Sequence, residues 1–411
     1  MGAWQARGKV GMWSGLLDRL LERIVHDGRL TVRGAGVVER TYGNGSGPQV
    51  TIWLHDPTLP RRLILNPDLA LGEAYMDQDL TIDGDDLPGF LALLLMNRGA
   101  GKSGWAIRLN LGLRRLLRRV QQYNPLQRAR QNVAHHYDLS GALYDLFLDE
   151  DRQYSCAYFR SPEDTLEQAQ AQKKAHIARK LRLEPGMRVL DIGCGWGGMA
   201  LTLAGEHGAH VLGVTLSREQ HAVAQQRAEM AGLADRAEFR LMDYREVTGE
   251  FDRIVSVGMF EHVGVPHYRE YFGHVRDRLT VDGIAVVHTI GRNTPPGSTS
   301  PWISKYIFPG GYLPALSEVM AAVEKERLWT TDVEVWRLHY AETLRHWRER
   351  FAANEGAALA LYDARFCRMW RYYLTASEMS FRYHNQVVFQ VQLSRRQDAV
   401  PLTRDYLYRV T

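Results

Sequence analysis

The chain has 411 residues, enough for two or three domains, which excludes a disulfide-stapled miniprotein. Apolar residues make up 45% of the sequence and charged residues 24%, so a largely disordered chain is excluded as well. The 51 Lys and Arg residues against 47 Asp and Glu residues give a net charge of +4, an average that indicates no strongly charged partner. Three widely spaced cysteines fit neither a disulfide framework nor a metal site, so we expect a reducing, cytoplasmic setting and no metal.

Residues 1–97 are predicted to form a small accessory α/β domain without a catalytic motif. Strand-like runs occur at 50–54 and 62–65, beside turn signals in the glycine-rich stretch 43–48. The longest apolar run, 87–96, is about half the length that a membrane-spanning helix needs. The first residues also lack the pattern of a secretory signal. We therefore expect any membrane contact to be peripheral.

Residues 98–130 form the basic segment, in which the positive charge is concentrated. It holds nine Lys or Arg residues and no acid, so the other 42 basic and 47 acidic residues leave −5 for the rest of the chain. Between 105 and 120, leucines among arginines favour an amphipathic helix. We predict that this helix binds the anionic inner membrane surface through Arg114, Arg115, Arg118 and Arg119. Nucleic-acid binding and a solvated linker are the alternatives; without a recognition fold, no nucleic-acid partner is predicted.

Residues 131–411 are predicted to form one catalytic domain. Ser161 and Pro162, followed by two acids, are typical of a helix start, and this helix is expected to run toward residue 181. Helices then alternate with predicted strands at 189–192, 210–214, 238–242, 253–257 and 284–289, and further strands are predicted at 333–338 and 386–393. Such alternation is typical of a parallel sheet that helices cover on both faces.

The first of these strands runs into a glycine-rich turn, Gly193-Cys194-Gly195-Trp196-Gly197. Glycines allow a sharp turn and the close approach of a ligand, and the N-terminus of the next helix offers free N–H groups. The spacing is not that of the Gly-x-Gly-x-x-Gly dinucleotide motif, and no phosphate-binding lysine follows. A tight strand-to-helix connection without a ligand is the structural alternative.

The segment 191–197 resembles the first motif of class I S-adenosylmethionine-dependent methyltransferases. The resemblance implies an α/β fold with a Rossmann-like, seven-stranded sheet whose last strand is reversed. Ligands of open α/β sheets bind beyond the carboxyl ends of the strands. The predicted cofactor-binding residues are therefore those of the glycine-rich turn together with Asp191, Thr215, Ser217, Gln220, Asp243, Tyr244 and Arg245.

Longer stretches resemble the cyclopropane fatty acid synthase family, which includes the mycolic acid methyltransferases. The matching motifs are HYDLS (136–140), QYSCAYF (153–159), VGMFEHVG (257–264), HTIG (288–291) and WISKYIFPGG (302–311). Weaker similarity to the N-terminal domain of bacterial cyclopropane synthases occurs at 66–68 and 71–77. The resemblance implies that a methylene from S-adenosylmethionine is added to a cis double bond of a phospholipid acyl chain, giving a cyclopropane fatty acid.

This chemistry makes demands on the site. An unactivated alkene is a poor nucleophile, so it must be held against the methyl donor in a dry pocket. Methyl transfer leaves a carbocation, and a base must then remove a proton so that the ring closes. The resemblance implies that the base is a bicarbonate ion held by residues carried over from the family motifs: Glu261, His288, Tyr340, Cys156 and Ile290.

The same motifs imply further site residues. Tyr154 and Ser155 are expected beside the cofactor, and Tyr137 and Tyr306 beside the acyl chain. Taken singly, these residues also have structural interpretations, such as a turn cap for the glutamate and core packing for the histidine and the tyrosines. Ser377 stands where many relatives carry a cysteine, which leaves the subtype of product open.

Three functional hypotheses follow. The first is a cyclopropane synthase, and the second is an enzyme that forms methyl- or methylene-branched fatty acids by the same carbocation route. A lipid-binding protein with an inactive site is the non-enzymatic alternative. The expected partners are phospholipid acyl chains and an anionic membrane surface, and relatives suggest a homodimer.

Overall fold

The structure is a computed structural model that describes residues 11–97 and 140–408. The basic segment, with the four arginines predicted to bind the membrane, and Tyr137 therefore lie outside the described residues. The strands, in chain order, are β1 (Arg29–Gly34), β2 (Arg40–Tyr42), β3 (Gln49–Leu54), β4 (Leu80–Ile82), β5 (Arg188–Ile192), β6 (His210–Thr215), β7 (Ala237–Leu241), β8 (Phe251–Val257), β9 (Leu279–Arg292), β10 (Trp329–Trp336) and β11 (Gln386–Ser394).

The α-helices of the described residues are numbered in chain order as well. They are α1 (Met12–Ile24), α2 (Leu59–Leu65), α3 (Pro67–Asp77), α4 (Leu87–Met96), α5 (Gly141–Asp145), α6 (Leu166–Leu181), α7 (Gly198–His207), α8 (Arg218–Met230), α9 (Tyr268–Arg278), α10 (Pro301–Tyr306), α11 (Leu316–Lys325), α12 (His339–Ala353), α13 (Glu355–Leu361), α14 (Ala364–Tyr383) and α15 (Asp405–Tyr408).

The first of two compact units combines Ser300–Ile307 and Phe351–His384 with the described part of Met1–Asn110. Its four-stranded sheet has the order β2-β1-β3-β4, and α14 packs against α3 and α4. Trp302 lies against Gly72, where an added Cβ would come within 2.4 Å of the indole ring. This unit differs from the contiguous domains expected from the sequence, because two C-terminal segments belong to its core.

One predicted strand of this unit is wrong. Residues 62–65 belong to helix α2, which has a proline in its first turn. The Thr58 N–H and hydroxyl both donate to the Asp56 carboxylate, and this turn leads the chain into the helix. Residues 62–65 therefore form a helix, because the helix-start signal before them outweighs their strand-like composition.

The second unit comprises Phe308–Arg350, Asn385–Thr411 and Leu111–Thr299, in so far as these residues are described. Its seven-stranded sheet has the order β10-β11-β9-β8-β5-β6-β7. Strands β5 to β9 pair in parallel, whereas β11 runs antiparallel to both of its neighbours. The predicted Rossmann-like sheet with a reversed last strand is confirmed.

Helix α6 begins later than predicted. Its N-cap is Thr165, whose Oγ1 accepts from the Gln168 N–H at 3.2 Å while Gln168 Oε1 accepts from the Thr165 N–H at 2.9 Å. This reciprocal capping box satisfies two donors of the first turn. The predicted cap, Ser161, lies instead in a preceding turn, where its N–H donates to the Asp164 carboxylate.

Candidate cofactor and catalytic site

A cavity of about 170 Å³ opens at the carboxyl edge of the large sheet. The loops that follow β5, β6, β7 and β8 line it, together with segments 152–155 and 309–310. Predicted cofactor residues that line it are Tyr154, Ser155, Asp191, Gly193, Cys194, Gly195, Trp196, Thr215, Gln220, Asp243, Tyr244 and Arg245. The structure thus brings together predicted residues from four separate stretches of the chain.

The glycine-rich turn forms the floor of this cavity. Gly193 has φ +81°, and an added Cβ there would lie 2.8 Å from the Met259 side chain. Gly197 has φ +87° and caps α7, and its Cβ would meet the Phe239 ring at 2.8 Å. Gly197, which was predicted to bind the cofactor, is not among the residues that line the cavity. Its position in the turn is explained by backbone conformation and packing.

The loop after β6 presents two paired polar side chains. Thr215 Oγ1 donates to Gln220 Oε1 at 3.0 Å, and both residues line the cavity. Ser217 does not line it; its Oγ accepts from the Gln220 N–H at 3.2 Å and caps helix α8. The structure thus gives this predicted binding residue a capping role that holds Gln220 in place.

The loop after β7 adds a tight ion pair. Asp243 accepts from the Arg245 guanidinium at 2.8 Å through each of its two oxygens, and from the Arg245 backbone N–H at 3.0 Å. The guanidinium lies over the Tyr244 ring, 5.5 Å from its centroid, and burial raises the pKa of Tyr244. This fixed aromatic and ionic wall suits a planar, polar group.

Side chains of helix α6 hold segment 151–155, which forms another part of the cavity wall. Gln170 Nε2 donates to the carbonyl oxygens of Gln153 and Ser155, at 3.1 and 3.0 Å. The fully buried Lys173 donates to Gln153 Oε1 at 2.6 Å and to Ser155 Oγ at 2.8 Å. Next to it, Lys174 pairs with Asp151 at 2.6 Å. Three side chains of one helix therefore hold segment 151–155.

The end of β5 places a buried carboxyl group at the cavity. Asp191 is 2% exposed, and its Oδ2 has no hydrogen-bond partner among the described residues. Burial raises the pKa of Asp191 to about 7, against the opposing charge of Lys173. An unpaired carboxyl group at a cavity is suited to a cationic part of a ligand.

Sequence reasoning did not single out several residues of this site. Gln153, Met259 and His262 line the cavity, and Lys173 supports it from behind. Burial lowers the pKa of His262 to about 4, so this histidine is neutral at physiological pH. Gln153, Met259 and His262 lie within the family motifs quoted above, so the motifs could have identified them. No sequence motif identifies Lys173.

Glu261 lies in the 3₁₀ turn after β8, between cavity residues Met259 and His262. Its Oε1 accepts from the Ile290 N–H at 2.6 Å, whereas its buried Oε2 has no hydrogen-bond partner among the described residues. Burial raises the pKa of Glu261 to about 7, and the Ile290 N–H opposes this shift. Ile290 was predicted to help hold bicarbonate; in the structure its backbone N–H donates to the Glu261 carboxylate.

His288 lies two residues before Ile290 on β9 and is 1% exposed. Gln390 Nε2 on β11 lies 3.0 Å from His288 Nδ1, so a donor amide at this position places the ring proton on Nε2. That Nε2 is buried and has no hydrogen-bond partner among the described residues. Burial lowers the pKa of His288 well below its usual value, which keeps the ring neutral.

Cys156 and Tyr340 lie near each other through α12. The Thr343 hydroxyl, one turn after Tyr340, accepts from the N–H of the residue that follows Cys156, at 3.0 Å. Burial raises the pKa of the Cys156 thiol, so it is not a nucleophilic thiolate. Ring contacts link this region to the histidine: His288 to Trp336 at 5.1 Å, and Trp336 to His339 at 5.5 Å.

Tyr306 belongs to the first unit, where its hydroxyl donates to Glu73 at 2.9 Å. Lys305 also donates to the Glu73 carboxylate, at 2.7 Å, and its ammonium lies 5.0 Å from the Tyr306 ring centroid. Among the described residues, Tyr306 is therefore part of a local ion and hydrogen-bond cluster, and its predicted contact with an acyl chain stays a prediction.

Comparison with known proteins decides the family. The model of the mycolic acid cyclopropane synthetase family matches residues 124–391, and a domain of unknown function matches residues 19–96. The chain belongs to this family. The probable fatty acid methyltransferase of Pseudomonas putida is 38% identical over 89% of this chain and 93% of its own length. The cyclopropane-fatty-acyl-phospholipid synthase of Escherichia coli K12 is 39% identical over 86% and 89%.

Solved structures of the family agree with the fold. The cyclopropane synthase MmaA2 from Mycobacterium tuberculosis is similar with a TM-score of 0.62 and 32% identity, over 66% of this chain and 99% of its own. The mycolic acid cyclopropane synthase CmaA1, solved with SAH and CTAB, is similar with a TM-score of 0.62 and 33% identity, over the same shares. The protein is thus an S-adenosylmethionine-dependent methyltransferase.

The residues present fit this cofactor. The glycine-rich floor leaves room where a Cβ would intrude, and the unpaired Asp191 carboxyl is suited to a cationic group. The Asp243–Arg245 wall and the Thr215–Gln220 pair supply the polar groups that a nucleoside requires. No helix among the described residues has the length and apolarity to cross a membrane.

Proposed function

We propose that this enzyme adds a methylene across cis double bonds of phospholipid-bound fatty acyl chains and so forms cyclopropane fatty acids. The observation that carries the proposal is two buried, unsatisfied polar atoms, Glu261 Oε2 and His288 Nε2, on segments that are joined by the hydrogen bond from the Ile290 N–H to Glu261. Native proteins rarely leave such atoms unpaired, so the pair is suited to a small polar ligand. The names of the relatives supply the lipid chemistry.

Bicarbonate fits this pair in hydrogen-bonding capacity. Glu261 as a carboxylate only accepts, which suits the O–H of bicarbonate, and neutral His288 with its proton on Nε2 donates, which suits an oxygen. When bound, the cofactor supplies an electrophilic methyl group. The alkene electrons would form the new bond to that carbon as its bond to sulfur breaks, which releases S-adenosylhomocysteine. Glu261 and His288 would hold the bicarbonate ion as the base that takes a proton from the new methyl group, so that the remaining C–H electron pair closes the ring.

The surroundings of the pair limit competing reactions. A carbocation is trapped by any nucleophile or water, so the walls must be dry and unreactive. The Cys156 thiol is fully buried with a raised pKa, and Trp336 packs edge-on to the His288 ring. Tyr340 is 7% exposed, and its proposed part is to hold the bicarbonate.

The test is analysis of fatty acids from a host that lacks its own cyclopropane synthase. Expression should yield a new acid that is resistant to mild hydrogenation and opened by acid methanolysis, as a cyclopropane ring is. Expression of Glu261→Gln serves as the control and should yield none. A folded protein that binds S-adenosylhomocysteine yet forms no modified acid would contradict the proposal and favour a lipid-binding role.

Formation of methyl- or methylene-branched fatty acids is the second candidate. It is favoured by the relative from Pseudomonas putida, a probable fatty acid methyltransferase. Both products arise from one carbocation, which loses a proton after a hydride shift in the branched case. A product that takes up hydrogen under mild conditions would establish the methylene-branched alternative, whereas a saturated methyl-branched acid would require a separate reductant.

We further propose that the basic segment brings the enzyme to an anionic membrane as a peripheral protein. Its nine basic residues carry no compensating acid, and its leucines can enter the interface. Replacing Arg114, Arg115, Arg118 and Arg119 together by Gln should weaken binding to phosphatidylglycerol vesicles and reduce its salt sensitivity. Unchanged sedimentation with these vesicles, measured against neutral phosphatidylcholine vesicles, would identify the segment as a linker.

A further inference from the structure

Lys173 lies directly behind the wall of the cofactor cavity, and its side chain is fully buried on α6. The described partners of its ammonium are two neutral oxygens, Gln153 Oε1 at 2.6 Å and Ser155 Oγ at 2.8 Å. Both partners line the cavity. Burying a charge on neutral partners is costly, so this lysine requires an explanation beyond packing.

The ammonium fixes how the wall presents its polar atoms. Because an ammonium only donates, Ser155 Oγ must accept from it, and the serine proton is left for another acceptor. Gln153 is fixed in the same way, since its Oε1 accepts from Lys173 while its Nε2 donates to Asp151 Oδ2 at 2.9 Å. The Ser155 hydroxyl is therefore a donor backed by a cation, on a residue that lines the cavity.

The charge of this lysine reaches well beyond its hydrogen bonds. Burial lowers the pKa of Lys173 to about 8, and Asp149 opposes the shift, so the ammonium is charged at neutral pH. Its field lowers the pKa of Asp191 against the effect of burial. The cavity wall thus carries a donor backed by a positive charge at Ser155 and an acidic group at Asp191.

We propose that Lys173 is a positioning residue that directs the carboxylate of the cofactor's amino-acid end to the Ser155 hydroxyl. The cofactor carries one carboxylate and, in the same amino-acid group, one ammonium. A donor backed by a cation matches the carboxylate, and the Asp191 carboxyl matches the ammonium. The inference rests on the cofactor class and not on the proposed lipid product, so the two can fail separately.

The test compares S-adenosylhomocysteine with its decarboxylated analogue, which lacks only the carboxylate. In calorimetric titrations at pH 7, Lys173→Met should weaken binding of S-adenosylhomocysteine at least about tenfold, the usual effect of losing a charge-assisted hydrogen bond. Binding of the decarboxylated analogue should change less than about threefold, because the lost interaction is one that this analogue never makes. Lys173→Arg, which keeps the charge, should retain the preference for the carboxylate.

Lys174→Met is the matched control, because it removes a neighbouring loop contact that does not reach Ser155. It should weaken both ligands by the same factor. If Lys173→Met does the same, the lysine only holds the loop and the proposal is wrong. Should Lys173→Met not fold, Ser155→Ala provides the second variant: it must lose preference for the carboxylate-bearing ligand, and equal binding losses for both ligands would overturn the proposal.

Discussion

The cofactor cavity and the Glu261–His288 pair differ in how their polar atoms are satisfied. On the cavity wall, Asp243 bonds to Arg245 and Thr215 to Gln220, while among the described lining residues only Asp191 Oδ2 and Trp196 Nε1 are buried without a partner. At the pair, one carboxylate oxygen and one ring nitrogen are buried with no partner among the described residues. Much of the wall is therefore ordered before ligand binds, whereas in our proposal Glu261 and His288 take a small polar ligand.

This difference has an energetic consequence. A preformed wall costs little on binding, because its side chains are already ordered. Unsatisfied buried atoms lower stability, since each lacks the water it bonded in the unfolded chain. Under the proposed function, Glu261 and His288 would give up stability for catalysis. The variants below test whether the cavity wall and these two residues differ in this way.

The largest expected effect is the loss of turnover in the Glu261→Gln variant. The amide replaces an acceptor oxygen of the proposed bicarbonate site with a donor, so we expect turnover to fall about a thousandfold or more, as for other groups that act on the reacting atoms. The dissociation constant for S-adenosylhomocysteine should stay within about threefold, because the cofactor wall is intact. Rate measurements and calorimetry on one preparation provide both values.

The control for this variant is Glu378→Gln. Glu378 is another buried carboxylate, but it lies in the first unit and pairs with Arg382 at 2.8 Å. Its turnover should stay within about threefold of the unaltered enzyme. A comparable loss in both variants would mean that turnover reports folding and not the Glu261 site, and the contrast between wall and pair would then fail.

The next effect is on stability and depends on pH. Burial raises the pKa of Glu261 from 4.5 to about 7, so folding becomes less favourable as pH rises from about 4.5 to 7, where the carboxylate must be buried charged. Glu261→Gln lacks this cost. Urea unfolding at pH 5 and pH 8 should show the variant gaining roughly 2–3 kcal/mol relative to the unaltered protein at the higher pH. A pH-independent difference would contradict the assigned pKa.

The smallest expected effect is on the stability of the Ser217→Ala variant. Ser217→Ala removes the N-cap of α8 and should reduce the free energy of unfolding by about 1 kcal/mol. Because Ser217 does not line the cavity, the affinity for S-adenosylhomocysteine should change less than about threefold. Thr215→Val, which alters a lining residue, should weaken that affinity more. The reverse order would place Ser217 among the residues that contact the cofactor.

Local sequence pattern predicted the cofactor turn well because its requirements are local. A strand that must stop, turn sharply and start a helix needs glycine at positive φ, and the positions of Gly193 and Gly197 meet that need within five residues. The two errors in predicting elements also have local causes, because in each a neighbouring turn or helix-start signal decided the structure. Residues 62–65 follow a proline-started turn, and Ser161 lies in a turn that the Asp164 carboxylate stabilises before the true cap, Thr165.

The sequence by itself determined the alternating elements, the glycine-rich turn, the basic segment and the family motifs, because each is written in residues close along the chain. Only the tertiary structure decided that C-terminal helix α14 belongs to the first unit and that Lys173 is fully buried behind the cofactor wall. Two adjacent lysines on a helix look like a solvated face in sequence. Burial depends on what packs against that face, and those partners lie far away along the chain.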